Sequence, residues 1–212
     1  MHRHHKNVAT AGTPLKEAEK AMILIHGRGA TAESILELAG HLLVEGFALL
    51  APQATGYTWY PYSFMAPVEQ NEPSLSTALE VISQIVKDIT DAGIAPEYIY
   101  FLGFSQGACL TSEYLARNAQ RYGGAFLYSG GLIGDEINRS NYQGDFNGTP
   151  VLLGCSDVDA HVPLRRVKDT TALFAEMGAD VTERIYPNAP HTVFDDEIEI
   201  TNRILVGGKA VV

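Results

Sequence analysis

Tyr98-Ile99-Tyr100-Phe101-Leu102-Gly103-Phe104-Ser105-Gln106-Gly107 is the stretch on which the reading of this chain turns. A short apolar run enters a G-x-S-x-G pattern and helix-like sequence follows, so a serine is placed on a tight strand-to-helix turn. A serine hydroxyl is a poor nucleophile until a base takes its proton. A sharp elbow presents the oxygen to a histidine from another loop and leaves backbone donors beside it. The flanking glycines follow from sterics, since a side chain at Gly103 or Gly107 would crowd the turn against the neighbouring strand and helix. The bare pattern recurs by chance; a strand before it and a helix after it make it informative.

Outward from the elbow, short apolar runs alternate with longer amphipathic ones, the pattern of a mostly parallel sheet wrapped by helices on both faces. Residues 21–26, 47–51, 98–104, 125–128, 151–155 and 181–186 read as strands. Leu75, Leu79, Ile82, Ile85, Val86 and Ile89 recur at helical spacing with Gly93 after the end. Further helices are expected over 32–43, 105–119, 164–177 with Gly178 as a stop, and 194–205. The fold class is α/β. The one long irregular piece, 52–73, is rich in proline and aromatics and reads as a functional loop, not a domain boundary.

The 212 residues are expected to form a single domain, 46% hydrophobic and 19% charged, with the first ten or so residues as a flexible end. A formal charge of −10 argues against a nucleic-acid partner, because Lys and Arg are scattered apart from Arg165-Arg166. No run approaches the ~20 apolar residues of a membrane span, and the start lacks the apolar stretch of a secretory signal, so a cytoplasmic protein is expected. His2, His4 and His5 could form a weak chelating tail, but a disordered end is the plainer reading, and no metal site is expected. Cys109 and Cys155 fall on core elements and are read as reduced thiols. A homodimer, through an apolar surface near the loops or through residues 206–212, is compatible with the sequence.

If Ser105 attacks a carbonyl, a base, an orienting acid and an oxyanion hole must accompany it. His191, in Pro187-Asn188-Ala189-Pro190-His191-Thr192, follows the last strand, where turn residues can aim the imidazole back over the sheet. His41 lies in a helical segment, His26 ends a strand and is expected to brace its loop, and His161 lies on the acid loop. The acid comes from Asp157-Val158-Asp159-Ala160-His161-Val162-Pro163, at the carboxyl end of a buried strand. Asp159 lies further out on the loop, whereas Asp157 also suits a turn that bonds its own backbone. For the oxyanion the expected donors are the backbone N–H of Gln106 and that of Arg28, which stands between Gly27 and Gly29. The Arg28 guanidinium either grips an acidic substrate group or, the plainer reading, points to solvent.

Together, His26-Gly27-Arg28-Gly29, Gly103-Phe104-Ser105-Gln106-Gly107, Asp159-Ala160-His161-Val162-Pro163 and Pro190-His191 resemble the phospholipase/carboxylesterase family of small α/β-hydrolases, which includes acyl-protein thioesterases. The order Ser105, Asp159, His191 is that of such enzymes. The resemblance selects Asp159 over Asp157, although Ala160 stands where the family commonly has proline. It implies a compact fold without a large lid domain, a Ser105–Asp159–His191 triad, hydrolysis of esters or thioesters through an acyl-enzyme, and no cofactor.

Substrate choice is assigned to Tyr57-Thr58-Trp59-Tyr60-Pro61-Tyr62-Ser63-Phe64-Met65, with Trp59, Tyr60, Phe64 and Val162 as pocket residues. The competing reading is a loop that packs on itself. Trp-Tyr-Pro at 59–61 resembles a bacterial branch of the family and favours small, short- to medium-chain soluble esters. The alternatives are a thioesterase-type hydrolase of longer acyl chains and a non-catalytic protein that binds a ligand in the same cleft.

Overall fold

A computed structural model describes residues 3–208. Seven strands form one sheet in the order β1-β3-β2-β4-β5-β6-β7: β1 (Val8–Gly12), β2 (Lys20–Ile25), β3 (Phe47–Pro52), β4 (Ile99–Phe104), β5 (Gly124–Tyr128), β6 (Pro150–Ser156) and β7 (Asp180–Tyr186). All neighbours are parallel except β1, which runs antiparallel to β3 at the edge. The helices are α1 (Ala32–Leu38), α2 (Ser74–Asp91), α3 (Gln106–Arg117), α4 (Leu164–Glu176) and α5 (Asp195–Leu205).

The strand period of two sorts the core into two layers. Ala21, Ile23 and Ile25 of β2 face the layer that holds the inward residues of α2, α3 and α4, while Met22 and Leu24 face α1 and α5. All five are fully buried. Each large apolar side chain so enclosed contributes about 1.5–3 kcal/mol relative to exposure. Continuous apolar strands are what a sheet covered on both faces requires.

Register positions the functional edge. Ile25 pairs with Gly103, Phe104 with Tyr128, and Ser156 with Tyr186, so the carboxyl ends of β2, β4, β5, β6 and β7 open side by side. The loops that follow them therefore share one rim of the sheet.

Two differences from the sequence reading matter. The region 32–43 is a seven-residue helix followed by a 3-10 turn at Ala39–His41, not one continuous helix. The amino end is not a loose tail among the described residues: Val8–Gly12 pairs with Ala48–Pro52, the Gln53 N–H donates to Asn7 O, and His4 is buried. Small residues such as those in Val8–Gly12 carry little hydrophobic signal, and their strand is stabilised by pairing with a distant segment. Met1, His2 and residues 209–212, which include most of the segment named as a dimer contact, lie outside the described residues. No helix of the described chain is long and apolar enough to cross a membrane.

Candidate active site

Ser105 joins β4 to α3 with φ 55° and ψ −120°, a conformation that costs a non-glycine residue and persists only where the surroundings enforce it. The enforcement is visible at both glycines. A Cβ on Gly107 would lie 2.1 Å from Ile25 O, and one on Gly103 would lie 2.7 Å from the backbone of Gly107. The elbow can close only because β2 and α3 approach without side chains between them. Although serine is a favoured N-cap, the Ser105 side chain makes no capping bond to α3.

Its Oγ meets a histidine instead. His191 Nε2 lies 2.9 Å from Ser105 Oγ, and His191 Nδ1 lies 2.6 Å from Asp159 Oδ2. The Asp159 side chain is fully enclosed, yet its other oxygen accepts the N–H groups of His161 at 2.8 Å and Val162 at 2.9 Å. The Cys155 thiol adds a donor to Oδ2 at 3.7 Å. Burial pushes the Asp159 carboxyl up, but the bonds from His191, His161 and Val162 outweigh it and hold the group below the ordinary carboxylate range. The acid therefore stays ionised beside the imidazole, which is packed against Phe104 and His161 with ring centroids 5.1 and 4.9 Å away.

Asp157 does a different job from both roles weighed for it. It stays out of the hydrogen-bonded line, and instead of bonding its own turn it accepts the Asn188 N–H at 2.8 Å, across to the loop that carries His191.

The two candidate oxyanion donors border the same cleft as Ser105. Gln106 opens α3, where first-turn N–H groups have no intrahelical acceptor. In the loop after β2, the Gly29 N–H donates to Tyr57 O and the Ala30 N–H to Gly27 O. That pattern leaves the Arg28 N–H without an acceptor among the described residues. His26 braces this loop: Nδ1–H donates to Gly27 O at 2.7 Å and Nε2 accepts the Ala54 N–H at 3.1 Å. Burial lowers its pKa, consistent with a neutral ring that keeps one acceptor nitrogen.

The cleft has a volume of about 550 Å³, and Tyr60, Phe64 and Val162 line it. Trp59 does not, which corrects its assignment to the pocket. Its ring is wholly buried 5.0 Å from His26 and 5.5 Å from His4, and its Nε1–H donates to His26 O at 2.8 Å. The self-packed alternative holds at this residue. Arg28 is exposed, as the plainer reading expects, but its guanidinium is also tied down: it donates to Thr58 Oγ1 at 2.8 Å, Pro61 O at 3.1 Å and Tyr62 O at 2.7 Å, and it lies over the Tyr60 ring.

Several residues that shape the site escaped sequence reasoning. The Gln106 side chain accepts the Trp59 N–H at 2.9 Å and donates to Tyr60 O at 2.9 Å, fastening the cleft wall to the elbow. His4 bonds Trp59 O at 2.8 Å and accepts the Thr55 N–H at 3.1 Å. These contacts span 46 to 55 positions and have no local signature. Cys109 and Cys155 are buried and form no disulfide, and burial pushes both thiols up to about 12, so they are inert at neutral pH.

Residues 6–205 match the model of the phospholipase/carboxylesterase family. The chain belongs to that family. Among solved members, a phospholipase/carboxylesterase from Dyadobacter fermentans DSM 18053 is 47% identical, with a TM-score of 0.95 over 97% of this chain and 99% of that one. Esterase PE8 shares the fold at 20% identity, with a TM-score of 0.80 over 95% and 98% of the two chains. In sequence, the chain is 29% identical over 128 residues to acyl-protein thioesterase 1 of Kluyveromyces lactis, 59% of this chain and 56% of that protein. It is 25% identical over 130 residues to a probable carboxylesterase SOBER1-like of Arabidopsis thaliana, 61% of this chain and 50% of that protein. The chain spans about half the length of the curated relatives it matches. It has the α/β-hydrolase fold of a family whose relatives include proteins named as a probable carboxylesterase and an acyl-protein thioesterase.

Proposed function

We propose that this chain is a serine carboxylic-ester hydrolase that turns over small, short- to medium-chain esters through an acyl-enzyme. The observation that carries the reading is the unbroken line from Asp159 through His191 to Ser105 Oγ, with bonds of 2.6 and 2.9 Å on opposite ring nitrogens.

His191 Nε2 takes the Ser105 proton as Oγ attacks the ester carbonyl. Asp159 holds Nδ1–H, fixes the tautomer and stabilises the imidazolium without taking the proton itself. As the carbonyl oxygen becomes an alkoxide, the N–H groups of Gln106 and Arg28 receive it; losing one such donor typically costs about 10²–10³ in rate. Collapse expels the alcohol, which leaves with the proton from His191. Water then repeats the sequence on the acyl-serine and releases the acid. Tyr60, Phe64 and Val162 form an apolar bed beside Ser105 for the acyl or alkyl part. No step calls for a cofactor or metal, and a soluble small-molecule substrate suits a cleft of this size.

A fluorophosphonate should label Ser105 with one equivalent, and Ser105→Ala should lose at least about 10³-fold in kcat. A folded Ser105→Ala protein with full esterase activity would overturn the assignment. Acetyl, butyryl, octanoyl and palmitoyl p-nitrophenyl esters separate the short-chain reading from long-chain acyl hydrolysis. A steady rise in kcat/KM to palmitoyl would favour the latter.

A further inference from the structure

Arg28 carries a charge that nothing around it neutralises. Its three acceptors, the Thr58 hydroxyl and the Pro61 and Tyr62 carbonyls, are uncharged, and no carboxylate pairs with it among the described residues. Those bonds occupy both hydrogens of one terminal nitrogen and one of the other, so the guanidinium is fixed in place with two N–H groups left over. It borders the cleft that holds Ser105, and none of the residues lining that cleft is aspartate or glutamate. This is unusual in a chain of net charge −10. The adjoining groove of about 560 Å³ shows the contrast: there Arg139, Arg165 and Arg166 stand among Asp135, Glu136 and Asp169. Balanced charge marks one depression, and a single pre-organised cation marks the other.

A cation held by neutral dipoles keeps its field for whatever enters the cleft, and entropy already spent on fixing the side chain is not spent again on binding. Repulsion from the acidic surface is screened within about 8 Å at physiological salt, so the local charge governs recognition. Resting on the ester-hydrolase reading above, we propose that the preferred substrate is an ester that itself carries a carboxylate, received by the Arg28 guanidinium. Arg28 thereby acts twice, its main chain toward the reacting oxygen and its side chain toward the remote anion.

Two matched pairs of esters test this on the native protein, with acid release followed at pH 7.5: monomethyl glutarate against methyl pentanoate, and acetoxyacetate against propyl acetate. The first pair places the charge on the acyl side and the second on the alcohol side. In at least one pair the carboxylated ester should be preferred by roughly ten- to hundredfold in kcat/KM, the range of a charge-assisted hydrogen bond. The preference should shrink with added NaCl, fall toward unity in Arg28→Met and persist in part in Arg28→Lys. Each ratio is taken within one variant, so a general loss of rate does not obscure it. Turnover of the neutral esters with no preference for either carboxylated partner would overturn the proposal and leave the hydrolase reading standing. So would a preference unchanged in Arg28→Met. Absence of turnover for all four esters, with Ser105 unreactive to fluorophosphonate, would overturn both.

Discussion

Asp157 Oδ1 accepts the main-chain N–H of Asn188 at 2.8 Å, and this bond fastens the loop that bears Asp159 to the loop that bears His191. The Asp157 N–H also donates to Tyr186 O at 3.1 Å, so the strap is closed from both sides. Removing the carboxylate lets the two loops part. Small displacements of a catalytic base are costly because the attack geometry is narrow. Asp157→Ala should lower kcat about tenfold with little change in KM, whereas Asp157→Asn, which keeps an accepting oxygen, should stay near the parent. Equal losses in both variants would count against a role through this bond.

Substitutions of the aromatic loop should divide by whether the side chain lines the cleft. Phe64 lines the cleft, so Phe64→Ala should shift the optimum among p-nitrophenyl esters toward longer chains. Trp59→Phe removes a buried donor from His26 O and should cost about 1–3 kcal/mol of stability while leaving the order of acyl preference unchanged. Thermal unfolding and an ester panel read the two effects separately. A changed chain-length profile in Trp59→Phe would place its ring at the substrate.

At Gly107 the expected damage is to folding. A methyl group there would lie 2.1 Å from Ile25 O, a backbone atom of a central strand that has no room to retreat. Gly107→Ala should destabilise the protein by more than about 3 kcal/mol, beyond the ordinary range for a point change. Chemical denaturation of the soluble fraction measures it; a midpoint within experimental error of the parent would refute the tight contact.

Glu197 supplies a pH test. Its Oε2 accepts the Phe194 N–H, its Oε1 is buried against Gly154 without a partner among the described residues, and burial pushes the carboxyl from 4.5 up to about 8. The unfolded chain releases this proton near pH 4.5 and the folded chain only near pH 8. Between those values the folded state binds more protons, so stability falls as pH rises, by an amount on the order of a few kcal/mol. Glu197→Gln has no proton to lose. Its melting temperature should gain on the parent steadily from pH 5 to pH 8 and hold that gain above; a constant offset across the range would contradict a neutral buried acid.

The fold was legible because β2 to β6 are apolar runs of strand length separated by helical periodicity, a pattern written locally. Ser105 and His191 could be chosen for a related reason: one stands on a glycine-bounded elbow and the other follows the last strand. Choosing Asp159 over Asp157 needed the family resemblance, since both acids lie on the same loop two positions apart. What stayed hidden depends on partners far along the chain. Tyr60 and Trp59 are adjacent buried aromatics with the same sequence signature, and only distant partners, among them the rings of His4 and His26, show that Trp59 lies away from the cleft that Tyr60 lines. That the exposed Arg28 guanidinium is held in place stayed hidden because its acceptors, Thr58, Pro61 and Tyr62, are 30 to 34 positions away and two of them act through carbonyls. The residues of Val8–Gly12 are mostly too small to announce a strand; the exposed edge of β3 recruits it.

The bond between His4 and the Trp59 carbonyl makes the two segments a matched set. Any exchange of gene fragments among relatives that replaces the segment around His4 but keeps the 54–60 region would bring together partners that never adapted to each other. The penalty would surface as a less stable fold around the buried Trp59 ring, so inheritance should favour passing both pieces on together or neither.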